Sequence, residues 1–387
     1  MNETVAARAP AKLILMGEHF VVYGVPALAI PVPGLELKVR LTAVSRTPAA
    51  GRPQPQAAVE GQASFASVSP PPARKNRTEE DNGIRPRSHL QTCLTIACQT
   101  FGLNPAELKV EVDSSIPIGA GLGSSAAISV ALARAASRLA DLQTDSKRQA
   151  GSSGANATAS DTDTTNATTT TIATDNTTAT ATDTDGESSI RQISMKAETL
   201  AHGRPSGIDT EICLTQRPLV FTKGAVPHSI RLARDAGESS PHSRNGAGGA
   251  NAVGLVIMNT GRAASTAKMV ALAAAYADRH PKRFAVLCAQ TAAAVEAATT
   301  ALQLGDVGRL GRLMDAQHAR LAEIGVSAPA LETLVSQARA CGAAGAKLSG
   351  AGGGGVAVAV CAPDAVGALA ERLATAHGIE VAAATCL

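Results

Sequence analysis

The chain is expected to fold as an α+β protein built in two halves. Three observations lead there. Strand-like runs alternate with amphipathic helical stretches along most of its 387 residues. The helical stretches bunch between 264 and 340, so the order is not the repeated βαβ of a doubly wound sheet. Two glycine-rich loops, 119–123 and 350–355, each follow a strand pattern. The length allows two or three domains with ample core.

The elements follow in order. Lys12 opens an apolar strand that ends at the turn of Gly17. Residues 35–44 set Leu37, Val39 and Leu41 against Lys38, Arg40 and Thr42, the alternation of a half-buried strand. Residues 88–101 have helical spacing, with Leu90, Leu94, Ala97, Cys98 and Phe101 on one face. A strand is predicted over 108–112, then the glycine–serine loop, then a helix over 126–142. A helix over 190–202 ends before Gly203. Residues 219–222 and 253–258 read as buried strands. Ala/Leu-rich helices fill 264–340, broken at Pro281 and Gly305. The tail predicts strands over 346–348, 356–360 and 379–384 around a helix over 363–377.

Three stretches read as insertions into this body. Residues 144–189 are mostly Thr, Ala, Asp, Ser and Asn, too poor in aliphatic side chains to offset the entropy of ordering. Residues 47–86 are rich in Pro, Gln and Arg. Both are expected to be disordered, and 233–252, rich in Gly, Ser and Asn, to be a surface loop. The halves are expected at 1–222 and 223–387.

Composition narrows the function. Apolar residues are 45% and aromatics only 2%, without Trp, so the cores must be aliphatic. A net charge of +3 without a dense basic block argues against a surface that grips nucleic-acid phosphates. Seven cysteines without a CxxC pair fit a reduced compartment. The N-terminus carries Glu3 and Arg8 without an apolar leader segment, and no run of eighteen apolar residues occurs. The last three residues, Thr385, Cys386 and Leu387, are not a peroxisomal address. No membrane association and a cytoplasmic location are expected.

The chemistry concentrates in four islands. Gly119-Ala120-Gly121-Leu122-Gly123-Ser124-Ser125 stands between a strand and a helix, where glycine backbone and the helix N-terminus suit a phosphate. It lacks the lysine of a Walker A loop, so positive charge must come from a metal or from elsewhere. The second island runs from Pro10-Ala11-Lys12 through Gly17-Glu18-His19 to Val21-Val22-Tyr23-Gly24. The third is Ser206-Gly207-Ile208-Asp209, preceded by Glu198. The fourth, Lys347-Leu348-Ser349-Gly350-Ala351 and four more glycines, makes sense where backbone must come very close to a neighbour.

Together, and in this order, the islands resemble the GHMP kinase superfamily and, within it, the mevalonate kinases. Galactokinases share a Gly-Glu-His element but lack a lysine placed like Lys12, and homoserine kinases lack Gly-Glu-His. The resemblance implies a ribosomal-protein-S5-like N-terminal half, a ferredoxin-like C-terminal half and an active site in the cleft. It implies ATP-dependent phosphorylation of the C5 hydroxyl of mevalonate. Residues 119 to 125 would wrap the ATP phosphates, and Ser125, with Ser124 as the alternative, would hold Mg²⁺ together with Glu198. Asp209 would accept or polarise the hydroxyl proton beside Lys12. Glu18 and His19 would lie against mevalonate. Thr266 resembles a residue near the reaction centre, although Gly261-Arg262 stands where the family often has a lysine. The late glycine loop would support the phosphate site by backbone proximity. Homodimers are common in the family. The rival readings are phosphomevalonate kinase, galactokinase, or a ligand sensor without catalysis.

Overall fold

The computed structural model describes residues 3–44, 64–69, 86–152, 184–202, 205–232, 252–263 and 265–387. In chain order the elements are β1 (Thr4–Met16), β2 (Ala27–Ala43), β3 (Ser64–Ser69), α1 (Pro86–Phe101), β4 (Leu108–Ser114), α2 (Ser124–Ser152), α3 (Thr184–His202) and α4 (Ile208–Thr215). There follow β5 (Leu219–Phe221), β6 (His228–Ser229), β7 (Gly254–Asn259), α5 (Thr266–Arg279), α6 (Pro281–Leu304), α7 (Val307–Glu323) and α8 (Pro329–Ala340). The chain closes with β8 (Gly345–Ser349), β9 (Val356–Cys361), α9 (Val366–His377) and β10 (Glu380–Cys386). These form two compact units, one from residues 1–9, 37–114 and 125–205, the other from 10–36, 115–124 and 206–387.

In the first unit, β4 pairs antiparallel with the second half of β2, from Leu37 opposite Ser114 to Ala43 opposite Leu108. The alternation of Leu37, Val39 and Leu41 is kept, all three buried. β3 adds to β4 in parallel. This strand falls within 47–86, where the sequence suggested only an insertion. Its Ser-Phe-Ala-Ser-Val-Ser pattern is too weak in apolar residues to signal a strand by itself. Residues 47–63 and 70–85 of that segment lie outside the described residues, as do 153–183 and 233–251. Helices replace coil at both edges of 144–189: α2 continues to Ser152 and α3 starts at Thr184. α1 packs beside α3, with Leu90, Cys93, Leu94 and Ala97 buried on one and Ile193 and Ala197 on the other.

In the second unit, β10, β7, β9 and β8 form a four-stranded antiparallel sheet in that order. β9 is buried throughout, as its unbroken apolar run requires. α7, α8 and α9 pack on this sheet, the layout expected of the C-terminal half. Its core joins Val256, Met258, Leu321, Leu334, Leu348, Ala359 and Leu369. A smaller cluster of Ile14, Ala27, Ala29, Ile208, Ile212, Leu219 and Phe221 binds the N-terminal strands to α4 and β5. The breaks read from the sequence hold here. Pro281 opens α6, and Gly305 closes it in the left-handed conformation. The Asp306 side chain then caps α7 by accepting from the Arg309 N–H at 2.9 Å.

Among the described residues α6 is the one helix long and apolar enough to cross a membrane. It buries Phe284, Leu287, Val295, Ala298 and Leu302 on one side and leaves Val286 and Leu304 exposed, the pattern of a helix packed along one face.

Candidate active site

The second unit assembles the glycine–serine loop, Lys12 and Asp209. Gly119, Gly121 and Gly123 all have positive φ, between 73° and 81°, while Ala120 and Leu122 between them are buried. The two small apolar residues anchor the loop, and the alternating glycines give the concave run of backbone that suits an anion. Lys12 sits well inside β1 rather than at its start. Its backbone N–H donates to the Leu122 carbonyl at 3.0 Å, so strand and loop are joined at this residue. The Lys12 stem lies against Gly123, where any Cβ would come within 2.6 Å of Lys12 Cγ. Gly123 is therefore required twice, for its φ of +75° and for the lysine's passage. Lys12 Nζ reaches Asp209 Oδ1 at 2.9 Å. The lysine side chain is 5% exposed and the aspartate 34%, so the pair points from the interior towards solvent at its acidic end. Asp209 is held in the first turn of α4. At a helix N-terminus a carboxylate is electrostatically favoured.

The late glycine loop meets the first loop backbone to backbone. A Cβ on Gly355 would stand 2.7 Å from the Ala120 carbonyl oxygen, and one on Gly350 3.4 Å from that of Gly121. The close approach inferred from the glycine run is thus to the other loop. Gly355 N–H also donates to the Arg262 carbonyl at 2.8 Å, which brings residues 260–263 alongside. Thr266 opens α5 nearby in sequence and is exposed; the cap is Ser265, whose hydroxyl accepts from Lys268 N–H at 3.3 Å.

His19 takes φ of 59°, and its Nε2–H donates to the Ala351 carbonyl at 2.7 Å. Burial holds its imidazole below the usual histidine range, so the ring is neutral near pH 7. Glu18 is 1% exposed and bonded to Lys347 of β8, which is itself fully buried. Burial pushes the Glu18 carboxyl up, and the Lys347 charge pulls it back down. No reading of Lys347 from the sequence anticipated this, because its partner is 329 residues away.

The first unit holds the two residues expected at a metal. Ser125 Oγ donates to Glu198 Oε2 at 3.0 Å, joining the start of α2 to α3. Beneath them lies a group the sequence reading missed. His89 Nε2 is 3.2 Å from both the Ser125 carbonyl and Ser129 Oγ, and 3.5 Å from Glu198 Oε1. Ser129 Oγ donates to the Ser125 carbonyl at 2.9 Å. Cys93 Sγ closes the cluster 3.3 Å from Ser129 Oγ, its thiol pushed up to about 12 by burial. His89 and Cys93 are one helical turn apart on the buried face of α1, a spacing that marked them as facing inward together. A hydroxyl with one carboxylate is a hard-oxygen donor set, and it fits Mg²⁺ that keeps several waters.

Known proteins bear on this arrangement. The family models described as GHMP kinases N terminal domain and GHMP kinases C terminal match residues 88–162 and 292–380. A mevalonate kinase of Aeropyrum pernix is 28% identical over 360 residues, covering 92% of this chain and 88% of its own. One of Thermococcus onnurineus is 27% identical over 387 residues, covering 97% and 94%. Among solved structures, L. major mevalonate kinase in complex with R-mevalonate superposes with a TM-score of 0.69 at 24% identity, covering 98% of this chain and 95% of that one.

Proposed function

We propose that this chain, which carries both domains of the GHMP kinases, is a mevalonate kinase. It transfers the γ-phosphoryl group of ATP to the C5 hydroxyl of mevalonate, giving 5-phosphomevalonate and ADP. The observation that carries the reading is Lys12: bonded through its backbone to the glycine–serine loop, and through its ammonium to Asp209. One residue thus ties a phosphate-binding loop to a base.

Phosphoryl transfer asks chiefly for positioning and charge stabilisation. The backbone of 119–123 receives the phosphates of ATP. Asp209 accepts the proton of the acceptor hydroxyl as the oxygen attacks phosphorus. Lys12, paired with Asp209, orients its carboxylate and offsets charge on the transferred group. Ser125 and Glu198 would hold Mg²⁺, which would supply positive charge against that of the phosphates. His89 and Ser129 fix the Ser125 carbonyl and the Glu198 carboxylate behind that pair. His19 borders the acceptor's place, and Thr266 is assigned to the same neighbourhood from its motif. A cytoplasmic location belongs to the same reading, supported by seven free thiols, as does a homodimer from the family's habit.

The test is direct. Purified protein is incubated with ATP, MgCl₂ and, in separate reactions, mevalonate, phosphomevalonate, galactose and homoserine. ADP release with mevalonate alone is expected. Turnover confined to another acceptor would replace this reading, and binding without turnover would make the protein a sensor.

A further inference from the structure

His19 adopts a backbone conformation that side chains rarely take. Its φ is 59° and its ψ −41°. Across it the Phe20 N–H donates to the Glu18 carbonyl at 2.6 Å. That is a γ-turn of the uncommon, strained kind. Such a residue persists only where its surroundings fix it several times over. Here the Val21 N–H donates to the Gly17 carbonyl at 3.1 Å, and Phe20 is fully buried and stacked on Phe284. The imidazole supplies a third hold through its 2.7 Å bond to the Ala351 carbonyl. A carbonyl can only accept, so in the neutral ring Nε2 carries the proton and Nδ1 is bare.

Ala351 belongs to the late glycine loop, and a second side chain holds that loop two residues earlier. Ser349, at the end of β8, is 3% exposed. Its hydroxyl donates to the Ile14 carbonyl at 2.9 Å and accepts from the Ile14 N–H at 3.2 Å. One hydroxyl thus serves both backbone groups of a β1 residue. Two residues back in β1, the Lys12 N–H bonds the Leu122 carbonyl of the glycine–serine loop. Backbone groups two apart in a strand leave by the same edge. Both loops therefore hang from one edge of β1, and they touch where Gly350 and Gly355 lie against the carbonyls of Gly121 and Ala120.

We infer that His19 and Ser349 are positioning residues for the nucleotide side of the site: they seat the late glycine loop on the first motif, and through that loop the Ala120–Gly121 backbone. Gly350, Gly352, Gly353 and Gly355 all have positive φ and carry no side chain to fix them. Beyond the glycines, the loop is tied by the Gly353 N–H to the Val326 carbonyl at 2.8 Å, and the Gly355 carbonyl accepts from the Thr260 N–H at 2.9 Å. At its start the side-chain bonds of Ser349 and His19 do this work. Relaxing the γ-turn would swing the imidazole away from Ala351 and loosen the support beneath Ala120 and Gly121.

The effect on ATP rests on the kinase reading; the bonds do not. Wild type is compared with His19→Gln, His19→Asn and Ser349→Ala. Each is assayed for melting temperature, kcat, the KM of both substrates, and calorimetric binding of a non-hydrolysable ATP analogue without acceptor. Glutamine carries an amide N–H out to the place of Nε2. Asparagine reaches only as far as Nδ1, but it tolerates positive φ well, so its backbone should not suffer. His19→Asn is expected to weaken both the ATP KM and analogue binding roughly tenfold and to lower kcat by up to about 10²-fold, with the mevalonate KM within about threefold of wild type. His19→Gln should recover most of the ATP affinity, and Ser349→Ala should share the ATP signature of His19→Asn. Normal kinetics in His19→Asn, with loss in His19→Gln, would make Nδ1 the working atom. A raised mevalonate KM with unchanged ATP constants would make His19 a substrate contact. Lower melting temperatures with unchanged kinetics would make both side chains packing alone. Each of these results overturns the inference. Wild-type protein labelled with ¹⁵N-histidine gives a readout that needs neither variants nor turnover. The His19 ring is expected as the neutral Nε2–H tautomer, and an Nδ1–H tautomer overturns the bond to Ala351. If wild type fails to turn over mevalonate, the kinase reading falls while this spectrum still judges the seat of the loop.

Discussion

Replacing Asp209 by asparagine separates the chemistry of the site from its binding. The amide has the shape of the carboxylate but cannot take a proton at neutral pH. General-base assistance is worth ~10²–10⁴-fold, equivalent to about 3–5 kcal/mol of barrier. The structure argues that little else should change. Asp209 lies in the first turn of α4, with a third of its side chain exposed, and its ionic partner Lys12 is joined to the phosphate loop through backbone. The lost pair itself is then worth about 1 kcal/mol of stability, since one end reaches solvent. Asp209→Asn is therefore expected to melt within a few degrees of wild type, to bind ATP within about threefold, and to lose at least 10²-fold in kcat. Coupled ADP release measures the rate, and calorimetric titration with a non-hydrolysable ATP analogue measures binding. A variant that keeps half the wild-type rate refutes the assignment of Asp209 as base. One that loses ATP binding in proportion to rate shows instead that the Lys12–Asp209 pair builds the nucleotide site.

The other expectations are more easily stated. Glu198→Gln should raise the MgCl₂ concentration needed for half-maximal rate and weaken Mn²⁺ binding measured by electron paramagnetic resonance; unchanged curves would remove Glu198 from the metal. Gly123→Ala should cost about 1–3 kcal/mol and raise the KM for ATP, because its methyl meets Lys12 Cγ at a φ of +75°. Gly224→Ala, with a φ of +83° and open space, should show the strain alone and leave KM unchanged. Equal effects at both glycines would refute the role of contact with Lys12. Cys93 and Cys98 are pushed up to about 12 and Cys361 to about 11 by burial. These thiols stay protonated in the folded protein while unfolded thiols ionise near pH 9. Stability from this source is thus complete below pH 9 and declines as pH rises towards 11–12. Alkylation at pH 8.5 should leave the three unmodified until urea unfolds the chain, and rapid native labelling of any of them contradicts the burial argument.

The sequence was readable wherever the physics is local. Strand alternation at Leu37, Val39 and Leu41, the helix breaks at Pro281 and Gly305, and the glycines at 119, 121 and 123 each depend on residues a few positions away. Those positions already contain the reason for the structure. Lys12, Asp209, Ser125 and Glu198 were named because their motifs resemble a family's, and the fold then brings them together as two bonded pairs, Lys12 with Asp209 and Ser125 with Glu198. What the sequence did not contain is who neutralises whom inside. The pairing of Glu18 with Lys347, the seat of His89 beneath Ser125 and Glu198, and the contact between two glycine loops join residues far apart in the chain. No periodicity records such partners. They are selected when burial removes water and leaves each buried charge or backbone polar group to find its complement across the fold.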